Sequence, residues 1–347
     1  MYIKKILWAV ALIGLVIAGI IAYYIYGAMF SPNTAFETEK TYIYITSGSN
    51  YSDVREQLKP LLKDMSTFDA LAKRKQYVSN IKAGRFEIAN GMNNNDIINS
   101  IRSRNLPVKV SFNNQNSLEA LAGRISQQIE ADSTSLLKAM KDSTFMVENG
   151  FSKATILGMY LPNSYEFFWN SNAEDFRAKM LKEYHRFWND SRKAKAEAMG
   201  RTPDEVMALA SIVYEESKVA EEQPRIAGVY VNRLRIGMPL QADPTIKFAA
   251  YRLPQYENTV IRRVLNVHKA IDSPYNTYKY AGLPPGLVVM SDLSTVDAVL
   301  NYEKHSYLYF AADPKRFGYH KFAKSLKQHG VNARAYQRYL DSQGIRK

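Results

Sequence analysis

The chain contains no cysteine, which excludes a disulfide, a thiol nucleophile and a cysteine-linked lipid anchor. Histidine is scarce: His185, His268, His305, His320 and His329 match no metal-ligand spacing. His320 and His329 therefore read as ordinary surface or structural histidines. There is no Gly-x-Ser-x-Gly elbow, no phosphate-binding loop and no Gly-x-Gly-x-x-Gly turn. These absences remove the common nucleophilic, nucleotide and dinucleotide chemistries. The net charge of +13 comes from Lys and Arg dispersed among acidic residues, without an Arg-rich arm or a zinc-finger spacing. That pattern argues against nucleic acid as a partner and for an anionic membrane face or an anionic polymer beside it.

What is present is a chain of 347 residues, long enough for two or more domains with their own cores. Residues 6–25 carry no charge and follow Lys4 and Lys5, which fits a bilayer-spanning helix. By the positive-inside rule the N-terminus lies in the cytoplasm and the rest of the chain outside, giving a single-pass inner-membrane protein. Tyr23, Tyr24 and Tyr26 suit the interface. Gly27 and Ala28 would also suit signal cleavage, but the apolar run exceeds the roughly 7–15 residues of a signal core, so an uncleaved anchor is expected.

The remainder alternates helical and strand periodicities, an α+β pattern. After a tether at 31–40, a strand at 41–46, helices to 62 and over 66–75, and a strand within 83–91 are expected. That order resembles the small LysM-type peptidoglycan-binding module. The expected domains are the cytoplasmic tip and anchor (1–30), tether and LysM-like subdomain (31–107), and a larger mixed α+β domain (108–347). In the last, helices are expected over 117–130, 133–141 and 174–198, a helical hairpin from Thr202, and a closing helix at 332–342. The segment 306–313 reads as a buried strand with 318–322 as its partner. The aromatic stretch 158–169 reads as a packed loop or a sugar-stacking surface.

One residue breaks the pattern. Thr202, Pro203 and Glu205 form a helix start with a capping box. At about 100° per residue, Val206, Leu209, Ile212, Val213, Val219 and Ala220 share one face, and Glu216 lies among them, with Ser211, Tyr214 and Lys218 opposite. Such a glutamate is either ion-paired, to Arg225, Arg233 or Arg235, or a general acid whose proton is retained by burial. Glycosidic cleavage needs that acid and commonly a second carboxylate, for which Glu222 and Asp243 are nearest in sequence. Residues 238–246 read as strand plus turn, placing Gln241 and Asp243 on one face.

The segments ASIVYEES (210–217), VNRLRIGMPLQADPT (231–245), YNTY (275–278), GLPPG (282–286) and YLYFAAD (307–313) occur in that order. Together they resemble the membrane-anchored endolytic murein transglycosylases, the YceG-like family. The resemblance implies an enzyme, a peptidoglycan lyase that cuts between N-acetylmuramic acid and N-acetylglucosamine and leaves a 1,6-anhydro end, with neither metal nor cofactor. It implies catalysis by Glu216, the acid that matches the family's Glu-Lys-Glu-Ser/Thr motif, although Tyr214 and Glu215 replace its first two residues. Gln241, Asp243 and Thr245 match a Gln-x-Asp-Pro-Thr run, and Asn276 and Tyr278 the Tyr-Asn-Thr-Tyr run; these are the implied substrate-binding residues. Leu157 and Asn163 stand where the family often has acids, so no catalytic acid is assigned to that loop, and Gly330 follows His329 where the family tends to have asparagine, which weakens a role for that segment. Peptidoglycan strands and synthases are the implied partners. A hydrolytic muramidase or a non-catalytic wall-binding scaffold for a synthase complex stays open.

Overall fold

The computed structural model describes residues 2–257 and 259–343. The chain is a mixed α+β protein that divides into two compact units. The first comprises Met1–Val110, Ser126–Ala131 and Tyr165–Asn172; the second comprises Ser111–Ile125, Asp132–Ser164 and Ala173–Lys347.

In the first unit, α1 (Tyr2–Phe30) has a mean hydropathy of 2.6 in its most apolar window and leaves that window's side chains uncovered. By length and composition it is a candidate membrane span. Then come β1 (Lys40–Ile45), α2 (Tyr51–Leu58), α3 (Met65–Arg74), β2 (Gly84–Ala89), α4 (Asn94–Ser103) and β3 (Pro107–Phe112). Asn50, Asp64 and Asn93 cap the three short helices by accepting backbone N–H groups. β1 and β2 pair antiparallel with Ile43 opposite Phe86 and Ile45 opposite Gly84. Alternation turns Ile43, Ile45, Phe86 and Ile88 onto one core with Val54, Leu58, Phe68, Ile97 and Ile101. A polar clip ties the end of α1 into this unit: Asn33 donates to Asn94 (2.6 Å), and Asn94 donates to the Ala28 carbonyl (2.7 Å).

The second unit is mostly helical. Its first elements are α5 (Leu118–Ser126), α6 (Ser133–Met140), α7 (Ser143–Glu148), α8 (Ala173–Phe187), α9 (Asp190–Ala198) and α10 (Pro203–Glu216), while β4 (Asn163–Phe168) lies mostly among the residues of the first unit. α11 (Gln223–Arg235), α12 (Asp243–Ala250), α13 (Asn266–Lys269), α14 (Leu293–Leu300), β5 (Tyr309–Ala312), β6 (His320–Ala323) and α15 (Leu326–Ser342) complete it. The helix expected over 174–198 breaks at Asn189, whose side chain accepts the Arg192 N–H and starts α9. The helix expected over 117–130 stops at Ser126, and α15 begins earlier than 332 because Ser325 caps it. β5 is half-buried rather than buried. The aromatic stretch contains a strand, β4, whose alternation buries Tyr165 and Phe167.

α10 is the centre of this unit, packed on α14, α11 and α12. Val206, Leu209, Ile212 and Val213 are buried as expected, but so is Ser211. Its hydroxyl donates to the Ala208 carbonyl (2.7 Å) and accepts the Val288 N–H (3.1 Å), so the side expected to face water instead docks the 282–290 segment. Gly286 in that segment lies so close to the Ala154 carbonyl that a Cβ would stand 1.9 Å from its oxygen. No other residue fits there.

Candidate active site

α10 starts as its residues dictate, with Thr202 accepting the Glu205 N–H and the Glu205 carboxylate accepting the Thr202 N–H. It does not run on to Ala220. Ser217 is extended, and Gln223, held by Thr295 (3.0 Å), donates to the Ser217 carbonyl (3.0 Å) in the turn that follows. Glu216 is therefore the last helical residue, on the rim of the core. α11 then leads back through Gly228, where a Cβ would stand 2.4 Å from the Glu303 carbonyl oxygen, and closes at Gly237 in a left-handed turn (φ +69°). That return brings Tyr230 to Glu216.

The Tyr230 hydroxyl donates to Glu216 Oε1 at 2.7 Å. Glu216 is half-buried, and its pKa is pushed up to about 7, chiefly by loss of hydration and further by negative charge at Asp243. The Tyr230 hydrogen bond, Arg233 and Lys247 oppose that rise. Tyr230 is buried, with Phe310 edge-on to its ring at 5.9 Å, and burial together with the Glu216 charge holds its hydroxyl protonated well above the usual phenol range.

The arginine pairing does not occur among the described residues. Arg225 bridges Glu303 at 2.8 Å, Arg233 donates to the Leu308 and Leu240 carbonyls, and Arg235 reaches Asn232. Glu222 has another employment: its two oxygens accept the His320 N–H and face His320 Nδ1, each at 2.9 Å, in a buried setting. Both oxygens of Glu222, the second acid that the sequence offered, are thus taken up by His320.

Residues 238–246 are not a strand. Gln241 takes a left-handed backbone (φ +49°), its N–H bound to the Thr277 carbonyl, and Asp243 opens α12. The Asp243 carboxylate accepts the Tyr278 hydroxyl at 2.6 Å. Gln241 and Asp243 are exposed and Tyr278 half-buried. Thr245 and Asn276 are fully buried instead. Thr245 donates to the Ala242 carbonyl (2.7 Å) and contacts Thr277 (2.8 Å). Asn276 donates to the Lys269 and Ile271 carbonyls and accepts from the Tyr278 and Lys279 N–H groups, which exhausts its amide. These two fold the loop that presents Tyr278, and neither is free to face a ligand. Among the described residues no cluster of three or more His, Asp or Glu side chains is placed to hold a metal ion. A depression of about 650 Å³ lies elsewhere in this unit, lined by Asn113, Asn114, Pro162, Asn163 and Asp292.

The constellation is a half-buried acid at a helix end, a buried phenol on one oxygen, and a second phenol–carboxylate pair close enough to act on it electrostatically. All four residues lie within 43–335, the span that matches the sequence model of the YceG-like family.

The chain belongs to the YceG-like family.

This YceG-like chain is 29% identical over 319 residues to a Bacillus subtilis protein named endolytic murein transglycosylase, covering 86% of this chain and 85% of that protein. A Streptococcus pneumoniae protein of the same name is 26% identical over 302 residues, and there the match spans 53% of the relative. The crystal structure of a YceG-like protein from Listeria monocytogenes superposes with a TM-score of 0.56 at 27% identity, covering 85% of this chain and 99% of that one.

Proposed function

We propose that this protein is an endolytic lytic transglycosylase that cleaves the β-1,4 bond between N-acetylmuramic acid and N-acetylglucosamine in peptidoglycan, with Glu216 as the sole proton shuttle. The observation that carries the reading is Glu216 itself: half-buried, free of any ion pair among the described residues, and protonated up to about pH 7.

The protonated carboxyl donates to the glycosidic oxygen as the C1–O bond breaks, and positive charge develops at C1. Negative charge at Asp243 favours that charge. The muramic acid's own C6 hydroxyl then attacks C1 and gives its proton back to the Glu216 carboxylate, closing the 1,6-anhydro ring. Donor and acceptor of the proton are the same carboxyl, and no water is consumed. The C6 hydroxyl, tethered to the reacting ring, has a high effective concentration, which removes the need for a base to activate water. Tyr278 on Asp243, and exposed Gln241, line the substrate side.

α1 anchors the chain in the inner membrane with the N-terminus in the cytoplasm, so that the acid works on nascent strands beside the bilayer and close to the synthases that make them. The β1–α2–α3–β2 arrangement acts as a LysM-like module that binds the strand.

Glu216→Gln keeps the shape and the acceptor for Tyr230 but has no acidic proton. It is expected to lower release of anhydro-ended fragments from purified glycan strands by about a thousandfold or more, read by mass spectrometry. Retained release would overturn the reading. Fragments with reducing ends from the unmodified protein would indicate a hydrolase, and none at all a wall-binding scaffold.

A further inference from the structure

We propose that Tyr230 is a positioning residue that fixes which oxygen of Glu216 carries the reacting proton. The inference rests on the general-acid reading and adds to it the direction of the proton.

A neutral carboxyl has one acceptor oxygen and one hydroxyl oxygen. The Tyr230 hydroxyl approaches Oε1 at 2.7 Å and has no other acceptor among the described residues. Were Glu216 to donate from Oε1 instead, the phenol proton would be stranded in a buried, aromatic surround. Leaving a buried donor unpaired is unfavourable, so Tyr230 donates, Oε1 is the acceptor and the carboxyl proton resides on Oε2. No hydrogen bond occupies Oε2 among the described residues, which leaves that proton available to a substrate oxygen.

Tyr230 has little freedom to do otherwise. Its ring is buried beside Phe310 on β5. α11 is fixed on both sides of it: Gly228 sits against Glu303, Asn232 donates to the His305 and Tyr307 carbonyls, and Arg233 donates to the Leu308 carbonyl. The same bond serves the second half of the cycle. Once Glu216 has given up its proton, the phenol faces a full carboxylate, and hydrogen bonds to a charged acceptor are roughly twice as strong as neutral ones. Tyr230 thus favours the ionised state that must follow proton donation, without supplying a proton of its own.

Tyr230→Phe removes only the hydroxyl and keeps the ring. In the full chain in detergent it is expected to lower kcat about ten- to hundredfold with KM within about twofold, and to move the alkaline limb of the pH profile up by about one pH unit. Titration of the ¹³C-labelled Glu216 carboxyl by isotope-edited infrared spectroscopy should show the same upward move without reference to activity. Should the phenylalanine variant fail to fold, an ortho-fluorinated tyrosine at position 230, a stronger donor, should move both readings down instead. An unmoved titration and unchanged kcat in a folded Tyr230 variant, alongside an inactive Glu216→Gln, would overturn the role of Tyr230 alone. Activity surviving in Glu216→Gln would overturn the general-acid reading, and with it this one.

Discussion

Glu216 and Glu222 flank one short turn, and the fold treats them in opposite ways. Glu222 has each oxygen 2.9 Å from a nitrogen of a single residue, His320, and is closed off from water. Glu216 accepts one phenolic hydroxyl on one oxygen and keeps partial access to solvent. Glu216 is the less buried of the two, and loss of hydration still raises its pKa to about 7. The two carboxylates thus differ in the number and kind of donors around them: Glu222 has both oxygens occupied by His320, while Glu216 leaves one oxygen without a hydrogen bond among the described residues.

The sharpest way to break this contrast is to make the same change at both places. Glu216→Gln is expected to abolish fragment release, whereas Glu222→Gln should retain activity within about threefold where the variant is folded, because only the first change removes a proton donor. A large loss of kcat in folded Glu222→Gln would collapse the distinction.

Stability should separate them with opposite signs. The folded-state pKa of Glu216 lies above its usual value of 4.5, so folding favours its protonated form, and that stabilisation is lost as pH rises from about 4.5 through 7. Above pH 7 the glutamine variant should then be the more stable protein, by on the order of 2 kcal/mol after allowing for partial exposure, with no difference below pH 4. Thermal melts at pH 4 and pH 8 would reveal it. Glu222→Gln should instead lose about 1–2 kcal/mol at pH 7, since its two contacts become uncharged.

The smallest effect concerns the neighbouring acid. Negative charge at Asp243 raises the pKa of Glu216, so Asp243→Asn should shift the alkaline limb of activity down, by about half a pH unit. An upward shift in the measured profile would contradict that electrostatic link.

Much of this arrangement was legible from residue patterns. The capping box and the apolar stripe located the start of the hairpin at Thr202, and the stripe singled out Glu216. The end of α10 was hidden because Val219 and Ala220 continue the helical period, while the bond that ends it, from Gln223 to the Ser217 carbonyl, joins side chain to backbone across a turn. Tyr230 carried a faint signal, a polar tip on a buried face between Ile226 and Arg233, but its partner depends on how two helices return on each other. Asn276 and Thr245 matched a site motif while serving its scaffold, since a sequence match does not tell which side of a loop a side chain faces. Similarly, Gln241-Ala242-Asp243 alternates like a strand, and only the left-handed turn at Gln241 reveals a helix start.

The early end of α10 has an electrical consequence. Peptide dipoles leave partial negative charge at a helix's C-terminus and partial positive charge at its N-terminus. Glu216 is the last residue of α10, and Asp243 is the first of α12. The backbone thus places one acid in a field that resists its ionisation and the other in a field that welcomes negative charge. Two like side chains sit at helix ends of opposite polarity, and lengthening α10 by a single turn would take Glu216 out of that field.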